Sequence, residues 1–279
     1  MPDSPAQQRA PHQRSDGVAE LGFARREGRT VLAHLHQQAP LRVLFPTPEP
    51  DEPPLGALVN TAGGLAGGDS LRVAVTLGAG ATATASTPAA EKLYRSLGPE
   101  TRVGTTLRVA AGATLEWLPQ ETILFDGARL RRRLDADLAA DARLLAVEML
   151  VFGRAARGER FARGALHDSW RLRVDGALRW ADALRLPDTP EAALAHRFGF
   201  GGAGAMATLL HAAPDAATLL PLLREAAGPL GAATIPREGV LLARWLGPAT
   251  AVRAALSAAI PPVRAALGLP GRLPRLWTT

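Results

Sequence analysis

The sequence predicts a mostly β protein in which strands are stacked or layered, with about two α-helices in the C-terminal third. Short runs of alternating polarity recur between residues 18 and 186, as expected of strands whose side chains point alternately to opposite faces. Turn residues recur within these runs at a nearly constant spacing, and after Pro190 the texture changes to Ala and Leu at helical spacing. We therefore expect one β-rich domain over residues 18–279, with helices after about residue 190, preceded by a disordered polar tail over residues 1–17.

The first strands are expected between Val18 and Phe45. Residues 30–35 alternate in polarity, and residues 41–45 form a second run that ends at Pro46. Residues 46–54 are rich in proline with acidic residues between them, which is typical of a surface loop rather than the interior of an element.

A loose repeat runs from Leu71 to Leu186. Each unit consists of a strand, a turn of Gly, Ala or Asp, and a second strand, with turn centres at Gly80, Gly112, Asp141 and Gly176. The centres lie 32, 29 and 35 residues apart, which is close enough to one period to predict successive stacked β units. Four unrelated hairpins would give the same local pattern, so the sequence leaves both architectures open.

A basic run within this repeat places Arg129, Arg131 and Arg133 on one face of a strand, because side chains alternate with period two. Such a face is commonly solvated or guards a sheet edge. A docking surface for an acidic partner is the alternative interpretation.

The first C-terminal helix is expected shortly after Thr218. The Thr218 side chain can cap the helix, Pro221 then lies in the first turn, where its missing N–H costs little, and Gly228 can end it.

The second helix is predicted to start at Pro248 and to be interrupted at Pro261 and Pro262, after which a short turn continues to Leu267. One apolar face of this helix consists of Val252, Leu256 and Ile260. The late Trp277 is unusual for a frayed end and predicts that the C-terminal tail is tied down.

Composition excludes several functional classes. The chain has no cysteine among 279 residues, so disulfides, zinc fingers and thiolate iron–sulfur sites are excluded, and any metal must use His, Asp, Glu or backbone oxygen. The net charge of +6 comes from arginines spread along the chain without interleaved aromatic residues, which argues against nucleic acid as a partner. The absence of a signal-peptide core and of a long apolar stretch predicts a cytoplasmic protein that does not engage a membrane.

Two glycine-rich motifs match nucleotide-binding patterns only in their spacing. Residues 63–70 have the spacing of a phosphate-binding loop, but Asp69 stands where lysine is needed and would repel a phosphate. Gly199, Gly201 and Gly204 have the spacing of a dinucleotide fingerprint without a strand–turn–helix context. A nucleotide-dependent enzyme that uses residues 199–204 is therefore the alternative function.

Other catalytic and metal motifs are weak. The sequence has no G-x-S-x-G nucleophile motif, and its six histidines lie in unrelated contexts. His34 and His36 share a strand face and could supply two metal ligands if a third came from elsewhere, although two ordinary surface histidines are the commoner explanation of this pattern.

Two motifs carry a resemblance to a known family. Residues 60–69 read Asn-Thr-Ala-Gly-Gly-Leu-Ala-Gly-Gly-Asp, and residues 86–95 read Ser-Thr-Pro-Ala-Ala-Glu-Lys-Leu-Tyr-Arg. They are similar to the TAGG-x-x-GGD and TTQAA-x-K-x-Y-R elements of the urease accessory protein UreD (UreH) family. Further similar segments follow in order at residues 118–128, 148–154, 241–247 and 273–277. The matching signature residues are Gly63, Gly64, Gly67, Gly68, Lys92, Tyr94 and Arg95.

The sequence departs from the family pattern at a few positions. Pro88 stands where the family usually has Gln, and Phe45-Pro46-Thr47 replaces the more usual Tyr-Pro-Glu. Neither change touches the GGD or K-x-Y-R element.

The resemblance implies a non-enzymatic urease maturation factor. Such proteins bind UreF and, through it, the GTPase UreG, and they dock this assembly on apo-urease so that Ni²⁺ and a carbamylated lysine are installed. The implied fold is a two-layered stack of strands with two helices, without a tightly bound cofactor. Nickel is implied to pass transiently through a tunnel in this subunit.

A nickel conduit needs oxygen or imidazole ligands that hold the ion weakly enough to release it. The resemblance gives four candidate relay residues, Asp69, Glu91, Asp126 and Glu148. A backbone-turn or salt-bridge role is the alternative for each, and Lys92 with Glu121 could form a structural pair.

Overall fold

Strands dominate the computed structural model, which describes residues 14–278. The strands are β1 (Asp16–Arg26), β2 (Arg29–Gln38), β3 (Leu41–Leu44), β4 (Leu55–Asn60), β5 (Ser70–Leu77), β6 (Thr82–Ser86), β7 (Glu91–Leu93), β8 (Thr101–Val109), β9 (Thr114–Leu118), β10 (Thr122–Leu124), β11 (Arg129–Leu138), β12 (Arg143–Phe152), β13 (Ala165–Val174), β14 (Ala177–Leu186), β15 (Ala205–Ala212), β16 (Gly231–Arg237) and β17 (Val240–Gly247). The helices are α1 (Pro190–Ala195), α2 (Leu220–Ala227) and α3 (Ala249–Ala266). The mostly β fold class with two substantial late helices is confirmed. Most of the predicted N-terminal tail, residues 1–13, lies outside the described residues.

The strands form two sheets. Sheet A has seven strands in the order β14-β13-β11-β8-β5-β1-β2, and its five central strands run parallel. Sheet B has ten strands, of which β16-β17-β15-β12-β9-β6-β4-β3 form the main path, while β7 pairs with β10 and β10 with β12. The two edge strands of sheet A are antiparallel to their neighbours. Strand β2 pairs with β1, and β14 pairs with β13.

The repeat in the sequence is a stack of coils. The turns around Gly80, Gly112 and Asp141 each lead from a strand of sheet A into a strand of sheet B, and each strand pairs in parallel with its counterpart one coil later. The prediction of stacked β units is therefore confirmed for these three turns. The fourth turn, at Gly176, is different, because it joins β13 and β14 in an antiparallel hairpin.

The main core lies between the two sheets. In β5 the buried positions alternate with exposed or half-buried ones, and the buried side chains are Leu71, Val73, Val75 and Leu77. Burial of each such side chain contributes about 1.5–3 kcal/mol. On β11 the side chains of Arg129, Arg131 and Arg133 share the outer face of sheet A, as predicted.

A second core lies between the outer face of sheet B and helices α2 and α3. Strand β12 is buried on both faces, with Leu145, Val147 and Met149 packed in this second core. The predicted apolar face of α3 is confirmed, since Val252 and Leu256 are fully buried there. None of the described helices is long and apolar enough to cross a membrane.

The predicted N-cap of α2 is wrong by one residue, although Pro221 lies in the first turn as predicted. A 3-10 turn over Ala216–Leu219 runs directly into the helix, so Leu219 is the N-cap and Thr218 lies inside a helical turn. There the Thr218 hydroxyl donates to the Asp215 carbonyl (2.8 Å) instead of capping the helix. The prediction of a helix end at Gly228 is confirmed.

The predicted interruption of the last helix is also wrong, because α3 continues through Pro261 and Pro262 to Ala266. Proline inside a helix removes a backbone hydrogen bond. The turn that follows is held by packing, because Val263 and Arg264 are both fully buried.

Arg264 anchors α3 to two earlier parts of the chain. Its guanidinium donates to Glu116 Oε1 on β9 (2.7 Å) and to Glu52 Oε2 in the proline-rich loop (2.5 Å). The Trp277 indole donates to the Leu118 carbonyl at 2.9 Å, so the tail is tied down as predicted. Because Glu116 and Arg264 are both inaccessible to solvent, each charge depends on the other for compensation.

Candidate functional site

The two signature motifs pack against each other. The Tyr94 hydroxyl donates to the Gly63 carbonyl at 3.0 Å, and the Tyr94 ring lies over Gly64. A Cβ atom on Gly64 would come within 2.5 Å of that ring, and the backbone there has a φ of 149°, which L-residues rarely adopt. These residues therefore fix the glycine loop onto the end of β7.

Asp69 closes the same glycine loop. It is 6% exposed, and its two carboxylate oxygens accept hydrogen bonds from the backbone amides of Ser15 (2.9 Å) and Ala66 (2.7 Å). One oxygen therefore fixes the backbone within the glycine loop, and the other fixes the backbone immediately before β1. This arrangement corresponds to the backbone-turn role that the sequence left open for Asp69.

Asp126 anchors another loop. One oxygen accepts from the amides of Ala162 (3.1 Å) and Arg163 (2.8 Å), and the other accepts from the Arg163 guanidinium. Burial opposes ionisation of Asp126, but these hydrogen bonds outweigh it and lower the pKa of the carboxyl. Asp126 is therefore held as a carboxylate by the loop that precedes β13.

The other two relay candidates line one cavity, which we call the inter-sheet cavity. It lies between sheets A and B and has a volume of about 90 Å³, enough for a few water molecules. The apolar part of its wall consists mostly of leucine and valine side chains. Its polar lining consists of Asn60, Thr87, Glu91, Thr105, Gln120, Thr122, Arg132 and Glu148.

Glu91, the first residue of β7, has a single strong side-chain partner. The Asn60 amide donates to both carboxylate oxygens, at 3.0 and 3.1 Å. Burial raises the pKa of Glu91 to about 7, although the Asn60 hydrogen bond favours the charged form. At neutral pH the carboxyl is therefore divided between its protonated and charged forms.

Glu148 belongs to a buried group of three charged residues. Arg132 forms a bidentate pair with Asp168 at 3.0 and 2.6 Å, and its Nη2 atom also lies 2.9 Å from Glu148 Oε2. Burial raises the pKa of Glu148 to about 7, against the opposing effect of Arg132. Because Asp168 takes the bidentate contact, Glu148 is the carboxyl of the pair whose charge is easier to remove.

Two residues of this group escaped the sequence analysis. Arg132 and Asp168 lie at paired positions of β11 and β13 and both face the interior. The signal was present, because Leu130, Arg132 and Leu134 share a strand face that is opposite to the face of Arg131. The sequence analysis considered only the outward face of this run.

The remaining signature residues lie around the glycine loop and β7. Lys92 points away from the inter-sheet cavity and is exposed, while Arg95 packs over Gly127. Gly67 lies against the Ser96 side chain and Gly68 against Arg14.

The postulated Lys92–Glu121 pair does not form, because Glu121 instead accepts from Arg253 at 2.5 Å. Among residues 14–278, no three His, Asp or Glu side chains are grouped closely enough to hold a metal ion.

The glycine-rich loop over residues 199–204 has the wrong neighbours for a dinucleotide site. It follows the short helix α1 and leads into β15, whereas the fingerprint requires a strand before the loop and a helix after it. This order removes the structural basis of the alternative function.

Comparison with known proteins agrees with the signature motifs. Residues 15–278 match the family described as UreD urease accessory protein. Proteins named urease accessory protein UreD are similar to this chain in Granulibacter bethesdensis (55% identity, covering 84% of this chain and 99% of the relative) and Magnetococcus marinus (44%, covering 96% and 95%). Another from a Methylobacterium species is 46% identical over 96% of both chains. The chain therefore belongs to the UreD family of urease accessory proteins.

Proposed function

We propose that this chain is a urease maturation factor of the cytoplasm, acting as a scaffold and nickel conduit rather than as an enzyme. In this proposal it links UreF, and through UreF the GTPase UreG, to apo-urease, and Ni²⁺ passes through it as cargo. Family membership supports the role in urease maturation. The observation that supports the conduit is the pair of carboxyls, Glu91 and Glu148, on the wall of one inter-sheet cavity.

The chemistry of these carboxyls suits transfer better than storage. Carboxylate oxygen is a weaker ligand for Ni²⁺ than thiolate, and the sequence contains no cysteine that could trap the ion. Burial raises the pKa of both Glu91 and Glu148 to about 7, so near neutral pH a proton competes with the cation for each carboxyl. Arg132 adds a fixed positive charge that opposes a long stay of a second cation.

Of the four relay candidates, Glu91 and Glu148 are the two that we propose contact nickel. The carboxylates of Asp69 and Asp126 each already accept hydrogen bonds from two backbone amides. We propose that they hold the shape of the loops, so that their replacement affects assembly rather than nickel flow.

The test is co-expression of this chain with UreF, UreG and apo-urease, followed by nickel analysis of the purified urease. Glu91→Gln and Glu148→Gln each keep the size of the side chain but remove the anionic ligand. We expect the complex to assemble, measured by co-purification, while nickel per urease active site falls several-fold. The matched control is Glu225→Gln on the exposed side of α2, which should leave the nickel content unchanged.

Different outcomes separate the parts of this proposal. Full nickel loading in both cavity variants would remove Glu91 and Glu148 from the path. Failure of the unmodified chain to co-purify with UreF and apo-urease would contradict the scaffold role. Tight binding of NAD, NADP or GTP to the purified chain in a calorimetric titration would instead favour a nucleotide-dependent enzyme.

A further inference from the structure

The outer face of sheet A carries a row of basic side chains across four strands. Arg102 on β8, Arg131 on β11, His167 on β13 and Arg185 on β14 are direct neighbours in the strand register. All four point outward, and each is exposed or half-buried. Because neighbouring strands lie about 4.8 Å apart, this basic row spans roughly 14 Å.

A groove of about 520 Å³ lies on this face beside the row. Small side chains and arginines make up most of its lining, which also includes one acidic residue, Asp182. The floor consists of Ser169, Ala181 and Ala183, and the borders of Arg131, Arg133 and Arg171. Small floor residues leave the arginine side chains room to turn towards a bound molecule.

The local acids leave a surplus of positive charge. Glu100 accepts from Arg131 (2.8 Å), Asp135 accepts from Arg133, and the groove-lining Asp182 is neutralised by Arg244. In contrast, the guanidinium groups of Arg102, Arg171 and Arg185 make no hydrogen bond or ion pair within the described residues 14–278. These guanidiniums are the cations that can pair with an incoming anion without breaking an existing contact.

His167 is hydrogen-bonded to its neighbour Arg131. The Arg131 guanidinium lies 3.0 Å from His167 Nδ1, and since a guanidinium can only donate, Nδ1 must accept. The imidazole proton is then on Nε2, where it is available as a further donor at the centre of the row.

We propose that this groove docks an extended acidic segment of a partner protein. In an extended chain every second side chain points to the same side, at a spacing of about 6.6 Å. Four or five residues laid across the strands would therefore span the basic row and direct two or three carboxylates at it. A single phosphate would reach only part of a row of this length.

Nucleic acid fits the groove less well than an acidic peptide. Single strands gain much of their affinity from stacking on aromatic side chains. The aromatic residue beside the groove, Trp170, faces inward and packs edge-on against Trp180 with ring centroids 6.2 Å apart. Further along the same strands, Asp135 and Asp137 would repel a phosphate backbone that continued past the row.

The test measures binding of a fluorescein-labelled octaglutamate peptide to the full chain by anisotropy, at low and at physiological salt. Replacement of Arg171 and Arg185 together by Glu should weaken binding at least tenfold and flatten its salt dependence. The matched control is Arg108→Glu, an exposed arginine near the other end of the same face, with Arg26→Glu added so that the change in net charge is equal. Thermal unfolding confirms that both double variants are folded.

Each alternative has its own result. Equal loss of binding in both double variants would mean that overall charge, not this groove, attracts the peptide. An eight-residue oligothymidylate that binds as tightly as octaglutamate would overturn the assignment to an acidic peptide in favour of nucleic acid. Displacement of the peptide by low millimolar inorganic phosphate would reduce the groove to a small-anion site.

Discussion

The raised pKa of Glu91 makes a quantitative prediction about stability. In the folded chain the pKa is about 7, against an ordinary glutamate value of 4.5. The folded state therefore binds the proton more tightly than the unfolded state, and ionisation of Glu91 destabilises the fold. The sign follows directly: the cost is absent below about pH 4.5, grows as the pH rises, and is complete above about pH 7.

The size of this cost follows from the shift. A shift of this size corresponds to about 3 kcal/mol at 25 °C. Glu91→Gln removes the ionisation and with it the cost. The amide group of the new Gln can offer only one acceptor oxygen to Asn60, so a hydrogen bond worth about 1 kcal/mol is lost at every pH. We expect the variant to be slightly less stable than the parent at pH 5 and about 2 kcal/mol more stable at pH 8.

Urea unfolding of both proteins at pH 5, 6, 7 and 8 measures this difference. Other titrating groups affect both proteins equally, so the difference between them isolates Glu91. Glu225→Gln serves again as the control and should show no trend with pH. A difference between Glu91→Gln and the parent that stays constant from pH 5 to pH 8 would refute the claim that burial raises this pKa.

Two further substitutions test the packing of the site. Arg132→Met should destabilise the fold by about 3–5 kcal/mol in urea unfolding, since it leaves the Asp168 charge buried without its partner. The addition of Asp168→Asn should restore much of that loss. No recovery of stability in the double variant would contradict a charge-based explanation. Gly64→Ala should cost clearly more than Gly63→Ala in thermal unfolding, because both residues have positive φ but a Cβ would meet the Tyr94 ring only at Gly64. Equal shifts in melting temperature would show that backbone conformation alone matters there.

The spacing of the stacked coils could be predicted from the sequence because glycine or aspartate occupies the turn of each coil. Gly80 and Gly112 adopt positive φ at equivalent corners, and this local demand leaves a visible repeat. The fourth turn, at Gly176, uses the same residue type for an antiparallel hairpin. Turn residues report the turn itself, whereas the strand that the next segment will pair with depends on contacts far away in the chain.

The interior of the candidate site was only partly accessible. Glu91 and Glu148 were found through the family motifs, but nothing local distinguishes them from Asp69 and Asp126, which hold turns. Alternation places Arg132 on the face of β11 that carries Leu130 and Leu134, but it does not identify the buried acid that pairs with it, because Asp168 lies 36 residues later in the chain. The continuation of α3 through Pro261 was hidden for a similar reason, because burial of the next turn overrides the local preference.

The contact between Arg264 and the first half of the chain bears on the order of folding. The coils of parallel strands need only their immediate neighbours, so they can begin to stack while the chain is still being synthesised. Glu116 is different, because its compensating cation, Arg264, lies 148 residues later in the sequence. Glu52 pairs with the same guanidinium, which lies 212 residues after it. Contacts of such long range form late. We therefore expect a nascent chain that ends before α3 to be loosely packed and sensitive to proteases. The fold becomes fully packed only after α3, which carries Arg264, has been synthesised.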